Sequence, residues 1–258
     1  DIESVEIWYN DNDGVKLESV ILEQITIFDS LPPIYTDIDY LISLDENGDP
    51  SSAYDFSQSG RTYYLEIKWN DQIITSSTTI PEVTPLDCLW VEKSENNDTE
   101  FKYDIRALYS DPIDQNNFIL VKSKRMQHFG YKDSLECDVK NRKDFSLKLL
   151  DVQSDILING QTFETYFPRP KESGFPYGSY NTNRIEICDD DTLVFKEDIV
   201  LIKYCQIDEP SLKFWRGLVR QAGNNGNPFS EPMNLVSNIN NGLGVFTGYG
   251  SVYYKVPI

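Results

Sequence analysis

The chain has 258 residues, 40% of them hydrophobic and 13% aromatic, which suits two domains of roughly 100–200 residues each and excludes global disorder. Its 42 acidic and 23 basic side chains give a net charge of −19, which argues against nucleic acid, whose phosphates need a basic face, and against adsorption to anionic lipid. No apolar run approaches the roughly 18 residues of a membrane-spanning helix and no signal peptide is visible; the opening at Asp1, inside what reads as folded sequence, fits a processed or trimmed N-terminus.

In chain order, Ser4 to Tyr9 alternates, with Val5, Ile7 and Tyr9 on one side, and predicts a strand. Asn10 to Gly14 is a turn built on Asp13-Gly14, and Val15 to Phe28 resumes in β-favouring residues until Leu31-Pro32-Pro33 breaks it. Ile38 to Leu44 reads as a further strand. Gly60 to Trp69 alternates with Tyr63, Leu65, Ile67 and Trp69 on one face; Asn70-Asp71 turns the chain, and Ile73 to Ile80 returns as a Thr-rich strand, predicting a hairpin. Pro81 to Pro85, with two prolines in five residues, reads as an extended connector between domains.

Beyond it, Leu86 to Glu92, Thr99 to Tyr109 and Asn117 to Gln127 predict strands, followed by shorter ones at Phe145 to Leu150, Asp155 to Ile158 and Thr162 to Phe167. Pro168 to Asn183 has no periodicity, and a loop of that length commonly carries function. Ile185 to Cys188 and Thr192 to Gln206 return to strand. Asp208-Glu209-Pro210-Ser211 is a helix start, with Leu212, Trp215, Leu218 and Val219 on one face and Gly223 as the expected stop. Gln221 to Tyr249 is rich in Gly, Asn and Pro yet carries the apolar residues Phe229, Met233, Leu235, Val236, Ile239, Leu243, Val245 and Phe246, which suggests a shaped segment pinned by apolar anchors.

The fold class expected is therefore all-β, mainly antiparallel, with two sandwich- or barrel-like units and one late helix at about 209–222 packed on the second. Residues 1–80 would form an N-terminal sandwich of immunoglobulin-like or prealbumin-like kind, truncated at its start. Residues 86–258 would form a C-terminal β-rich domain with the helix and the closing segment.

The chemistry-bearing residues are sparse in pattern. His128 is the single histidine, so any Ser-His-Asp or Cys-His site must use it, and its place at a strand end reads better as packing or surface. No G-x-S-x-G elbow, G-x-x-x-x-G-K-[ST] loop or G-x-G-x-x-G turn occurs. Cys88, Cys137, Cys188 and Cys205 form no C-x-x-C pair; they allow three disulfide pairings, among which sequence does not choose, and four unpaired thiols fit equally. Asp11 to Gly14 resembles part of an EF-hand loop, but Tyr9 and Val20 would then stand where carboxylates must ligate; Asp45 to Gly48 fails in the same way, with Ser43 and Tyr54. Asp189-Asp190-Asp191 reads as a turn before it reads as a cation site. No catalytic, metal or cofactor residue is therefore expected. Among 16 Tyr, 13 Phe and 4 Trp, most of which would fill β cores, Tyr177 and Tyr180 of the long loop are the candidate ligand-binding residues.

Gly226-Asn227-Pro228-Phe229, Pro232-Met233-Asn234, Ser237-Asn238-Ile239-Asn240-Asn241-Gly242 and Leu243-Gly244-Val245-Phe246 resemble the closing signature of DUF4249, a family of exported Bacteroidetes lipoproteins. Gly60 to Leu65, Thr78-Thr79-Ile80-Pro81 and Asp191 to Val194 fit the same family, and the resemblance covers about residues 38 to 258. It implies an outer-membrane lipoprotein of the cell envelope, attached through a lipid-bearing cysteine that this chain does not contain, with a TonB-dependent transporter as its expected partner. It implies no catalytic residue, and the motif positions read as determinants of the fold. The expected function is a non-enzymatic binding or accessory module in nutrient uptake. The alternatives are a glycan hydrolase using a carboxylate pair, which needs two convergent acids in one cleft, and a purely structural or adhesive surface protein.

Overall fold

The computed structural model describes residues 2–27, 31–44, 55–93, 103–113, 115–131, 141–144, 147–156, 158–167, 193–224 and 234–257. It is mainly antiparallel β. Contacts divide it into two compact units, one of Asp1–Glu82 with Gln206–Gly250 and one of Val83–Cys205 with Ser251–Ile258. The break lies inside the Pro81–Pro85 connector, and residues 206–250 group by contact with the first unit.

The first unit is built on a four-stranded sheet, β2-β1-β5-β6, from β1 (Ile2–Asn10), β2 (Lys16–Ile21), β5 (Thr62–Trp69) and β6 (Gln72–Thr79). Gly14, at φ +80, supports the first turn, and Asn70 and Asp71, at φ 48 and 62, make the two-residue turn of the β5–β6 hairpin, which pairs from Thr62↔Thr79 to Trp69↔Gln72. Alternation puts Tyr9 and Tyr63 on the inner face, where they pack with Phe56. The Tyr63 hydroxyl accepts from Gln58 N at 2.8 Å, and the Arg61 guanidinium lies 3.8 Å from the Tyr9 ring centre while donating to Phe56 O. A two-stranded ribbon pairs β3 (Glu23–Ile25) with β4 (Ile34–Thr36).

Residues 38–44, expected as a strand, instead form a short helix, α1 (Ile38–Ser43). Asp37 caps it by accepting Tyr40 N at 3.0 Å, and Asp39 stands in its first turn; these local bonds outweigh the period-two pattern. The late helix, α2 (Glu209–Asn224), is present but groups by contact with the first unit, not the second. The reason is its cap: Asp208 Oδ1 accepts Ser211 N at 3.0 Å, while Asp208 Oδ2 accepts the Thr78 hydroxyl of β6 at 2.8 Å. The helix runs through Gly223, and along its expected apolar face Leu212 is buried while Val219 is 47% exposed.

The closing segment runs along the free edge of β6 and meets it by backbone and side chain. Thr75 and Asn240 exchange N–H···O bonds of 3.3 and 2.8 Å, Ser76 Oγ donates to Asn238 O, Asn241 Nδ2 donates to Ile73 O, and Gly248 N donates to Thr78 Oγ1. This covers an edge that would otherwise offer unpaired backbone groups. Its anchors are uneven: Phe246 packs against the inner cluster, whereas Leu243, expected as an anchor, is 94% exposed. Phe229 and Met233 lie outside the described residues.

The second unit is a sandwich. Its larger sheet has the order β10-β9-β13-β14, from β9 (Phe118–Tyr131), β10 (Asn141–Asp144), β13 (Leu193–Gln206) and β14 (Gly250–Pro257), with β11 (Lys148–Ser154) following β10 along the same flank of β9. Its smaller sheet is β12-β8-β7, from β7 (Cys88–Lys93), β8 (Tyr103–Ser110) and β12 (Thr162–Phe167). One core joins them: Ile105, Ala107, Tyr109 and Phe167 from the smaller sheet meet Val121, Val200, Ile202, Tyr204 and Val256 from the larger. Strand β10 was not expected from sequence. Residues 155–158, expected as a strand, are a turn closed by Ile158 N to Asp155 O at 2.6 Å and by Gly160 at φ +74.

Candidate functional site

The site is a cavity of about 270 Å³ inside the second unit, on the side of the sandwich where β11 and β12 are the outer strands. Leu86, Ile119, Val121, Leu150, Phe163 and Phe167 form its apolar wall, Thr165 adds a half-buried hydroxyl, and the exposed Asp151, Gln153 and Tyr166 rim it. Alternation explains the wall: Ile119 and Val121 on β9, and Phe163, Thr165 and Phe167 on β12, fall on the inward faces of facing sheets.

Two tyrosines are among the lining residues. Tyr109 and Tyr204 are 1% and 3% exposed, with ring centres 6.0 Å apart. The Tyr109 hydroxyl donates to Asp111 Oδ1 at 3.1 Å. The Tyr204 hydroxyl is turned toward that of Tyr109, whose oxygen is the acceptor within reach of its hydrogen. Burial, aided by the Asp111 charge and its hydrogen bond, pushes Tyr109 up to about 12, and burial pushes Tyr204 up as well, so both phenols are neutral at physiological pH.

Two carboxylates knit the loops next to Tyr109. Asp111 accepts Asn117 Nδ2 at 2.9 Å and Gly160 N at 2.9 Å in addition to Tyr109, and Asp155 Oδ2 accepts Asn117 N at 2.6 Å. Asp155 is fully buried and its second oxygen has no partner. Burial raises its pKa most; the Asn117 N–H bond pulls it down and the nearby Asp111 charge raises it further. Neither acid lines the cavity, and their oxygens hold Asn117, Gly160 and Tyr109, so the pair is engaged in the fold.

Tyr177 and Tyr180, the expected ligand-binding residues, lie outside the described residues, as do Cys137, Cys188 and the acidic run at 189–191. Cys88 is an exposed free thiol and Cys205 a buried one, and burial raises the Cys205 pKa chiefly. His128 sits on β9 opposite Arg142. Among the described residues no group of three His, Cys, Asp or Glu side chains is placed to hold a metal ion, and no helix is long and apolar enough to cross a membrane. In the first unit, a second recess of about 550 Å³ is lined by Glu18, Glu23, Asp37, Asp39 and Asp55 with Val20, Ile38 and Phe56. Two of these acids have local duties: Glu18 accepts the Tyr9 hydroxyl and Asp37 caps α1.

The sequence reading missed Tyr109 and Tyr204. Each sits in an alternating strand where an aromatic reads as core filler, and only the fold brings them together. A two-unit antiparallel β protein with an apolar, partly open cavity in its second unit is the class defined by these features. The family described as Domain of unknown function (DUF4249) matches residues 10–254, nearly the whole chain, and the protein belongs to that family. The match extends further toward the N-terminus than the motifs at 38–258 suggest. No curated protein matches the chain.

Proposed function

We propose that this protein is a non-enzymatic binding or accessory module of the cell envelope, an outer-membrane lipoprotein that holds a small molecule and works beside a TonB-dependent transporter in nutrient uptake. The observation that carries the binding part is the second unit's cavity: an apolar wall of ligand-accommodating size edged by a few polar residues, Thr165, Asp151 and Gln153. The envelope and transporter parts rest on the family resemblance. Two features favour binding over hydrolysis. The neighbouring acids Asp111 and Asp155 are tied into backbone and side-chain bonds, and neither lines the cavity.

The test is recovery of the tagged, full-length protein from outer membranes of its native host, read by mass spectrometry of both proteins and extracted small molecules. Stoichiometric recovery of a TonB-dependent transporter is the expected result. Recovery of the protein alone, in detergents that preserve known complexes, would sink the transporter role.

A further inference from the structure

The two edges of the first unit's sheet are treated differently. The closing segment covers β6, whereas β2 ends the order β2-β1-β5-β6, and no described strand pairs on its outer side. Register fixes which groups this leaves open. Leu22 N donates to Val5 O at 2.8 Å, which makes Val5 and Leu22 a hydrogen-bonded pair. In the antiparallel register Ile7↔Val20 and Tyr9↔Glu18 are the next such pairs, and Glu6↔Ile21 and Trp8↔Ser19 fall between them. The N–H and C=O groups of Ser19 and Ile21 therefore point away from β1, and no backbone partner meets them among the described residues.

The recess of about 550 Å³ runs along this edge. Four consecutive residues, Glu18 to Ile21, line it, although their side chains alternate between the two faces of the sheet. Glu23, Asp39 and Asp55 line it too, and no Lys or Arg does. These three acids are exposed, and no hydrogen bond or ion pair holds them among the described residues. Edge and charge together choose the occupant. Open main-chain groups at a sheet edge accept an extended strand. A second copy of this edge would set Glu18 and its neighbouring acids against their equivalents, like charge against like, in a chain of net charge −19. A segment with Lys or Arg at alternate positions meets the acids with opposite charge and the edge with its backbone.

We infer that the β2 edge is a docking site for an extended, basic segment of a partner protein, which adds as a strand at Ser19 and Ile21 and sets its cationic side chains in the acidic recess. The site lies in the first unit and does not depend on the cavity of the second.

The experiment is calorimetric titration of the full chain with three capped octapeptides at one salt concentration: alternating Lys-Thr, the same peptide N-methylated at every residue, and alternating Glu-Thr. The Lys-Thr peptide should bind at least about 10-fold tighter than the Glu-Thr peptide. N-methylation keeps the charge and removes the main-chain donors, so it should weaken binding about 10- to 30-fold, the worth of two hydrogen bonds. The combined variant Glu23→Gln, Asp39→Asn, Asp55→Asn should weaken Lys-Thr binding at least about 3-fold. An equally neutralised control at three acids that do not line the recess, Asp71→Asn, Glu82→Gln, Asp87→Asn, should change it less than about 2-fold. Ser19→Pro removes an outward N–H that β1 does not use, so it should keep the fold, checked by thermal unfolding, and weaken Lys-Thr binding at least about 10-fold. Failure of the Lys-Thr peptide to bind, or tighter binding of the Glu-Thr peptide, overturns the docking site. Equal binding of the N-methylated peptide, or unchanged binding by a folded Ser19→Pro, overturns strand addition; if Ser19→Pro does not fold, the N-methylated peptide decides. Equal losses in the two triple variants overturn the recess as the selector. Dimerisation of the free chain through β2, seen as self-association that Ser19→Pro abolishes, would make a second copy the occupant and overturn the basic partner.

Discussion

Gly160→Ala tests whether the turn at residues 158–160 is a structural keystone of the second unit. Gly160 has φ +74, where an L side chain is strained by about 1–2 kcal/mol. A Cβ there would also meet Ile113 Cγ1 at 2.8 Å, Cβ at 3.0 Å and Cδ1 at 3.2 Å. Ile113 is 71% exposed, so its tip can swing away, but its Cβ moves only with its own main chain. That loop starts at Asp111, which holds Gly160 N, so the two ends of the clash are tied together. Overpacking of this kind adds about 1–2 kcal/mol, for a total loss of about 2–4 kcal/mol. The assay is urea unfolding combined with amide exchange of β8, β9 and β12, which reports the second unit by itself. Two variants separate the contributions. Gly14→Ala, at φ +80 with nothing within 4 Å of the new methyl, carries only the backbone strain of about 1–2 kcal/mol. Gly160→Ala combined with Ile113→Ala should recover the steric part. A loss below about 0.5 kcal/mol in Gly160→Ala, or no recovery in the double variant, would refute the reasoning.

Three further outcomes are expected. Asp155 has a folded pKa raised above its unfolded value, so its contribution to stability is fully present below about pH 4, the unfolded carboxyl range, and is lost as pH rises through the folded pKa. Asp155→Asn, whose amide oxygen can still accept Asn117 N, should remove that pH dependence in denaturant titrations; an unchanged slope above about pH 4 would show that the burial of Asp155 is not its source. Thr78→Val removes two bonds at a side chain that is 5% exposed and orphans Gly248 N, so it should cost about 2–3 kcal/mol in the first unit, with Thr78→Ser largely restoring it; equal stability of Val and Ser variants contradicts this. Leu243→Ser, at a side chain 94% exposed, should change the melting free energy by less than about 0.5 kcal/mol, and a larger loss in calorimetry would show that Leu243 is an anchor after all.

How much of this was legible depended on distance along the chain. The β5–β6 hairpin was readable because alternation and the Asn70-Asp71 turn are local. The α2 start was readable because Asp208 caps its own following residues. The unit to which α2 belongs was not, since the same carboxylate decides it through Thr78, 130 positions earlier. The short helix α1 was misread because Ile38, Tyr40 and Ile42 also satisfy a period of two, and six residues give periodicity little to work with. The turn after β11 carried a signal that the apolar run Ile156-Leu157-Ile158 overrode: Asn159-Gly160, a common positive-φ pair. The cavity left no local trace, because its lining comes from strands far apart in sequence, as with Tyr109 and Tyr204, whose rings meet only in the fold.

The closing segment shows what kind of information its signature encodes. Ser237 Oγ accepts Ile239 N at 3.1 Å and Gly244 N at 3.2 Å, so one hydroxyl shapes a tight loop. Asn238 pairs with Phe246 in both directions, Nδ2 to O at 2.7 Å and N to Oδ1 at 2.8 Å, imitating a backbone bridge. Asn241 adopts φ 60 and Gly244 φ 142, which β-branched residues would resist. At Gly248 a Cβ would lie 2.8 Å from Ile80 Cγ1 and 3.0 Å from the Ile80 backbone, so β6 and the segment meet closely only at a glycine. These side chains are engaged with backbone, and they belong to the first unit, whereas the cavity belongs to the second. These residues of the closing segment therefore specify how a sheet edge is closed. The cavity proposed as a ligand site is lined by residues of other strands, such as Leu86, Val121 and Phe163, that the signature does not include, so the motif and the proposed binding function rest on different residues.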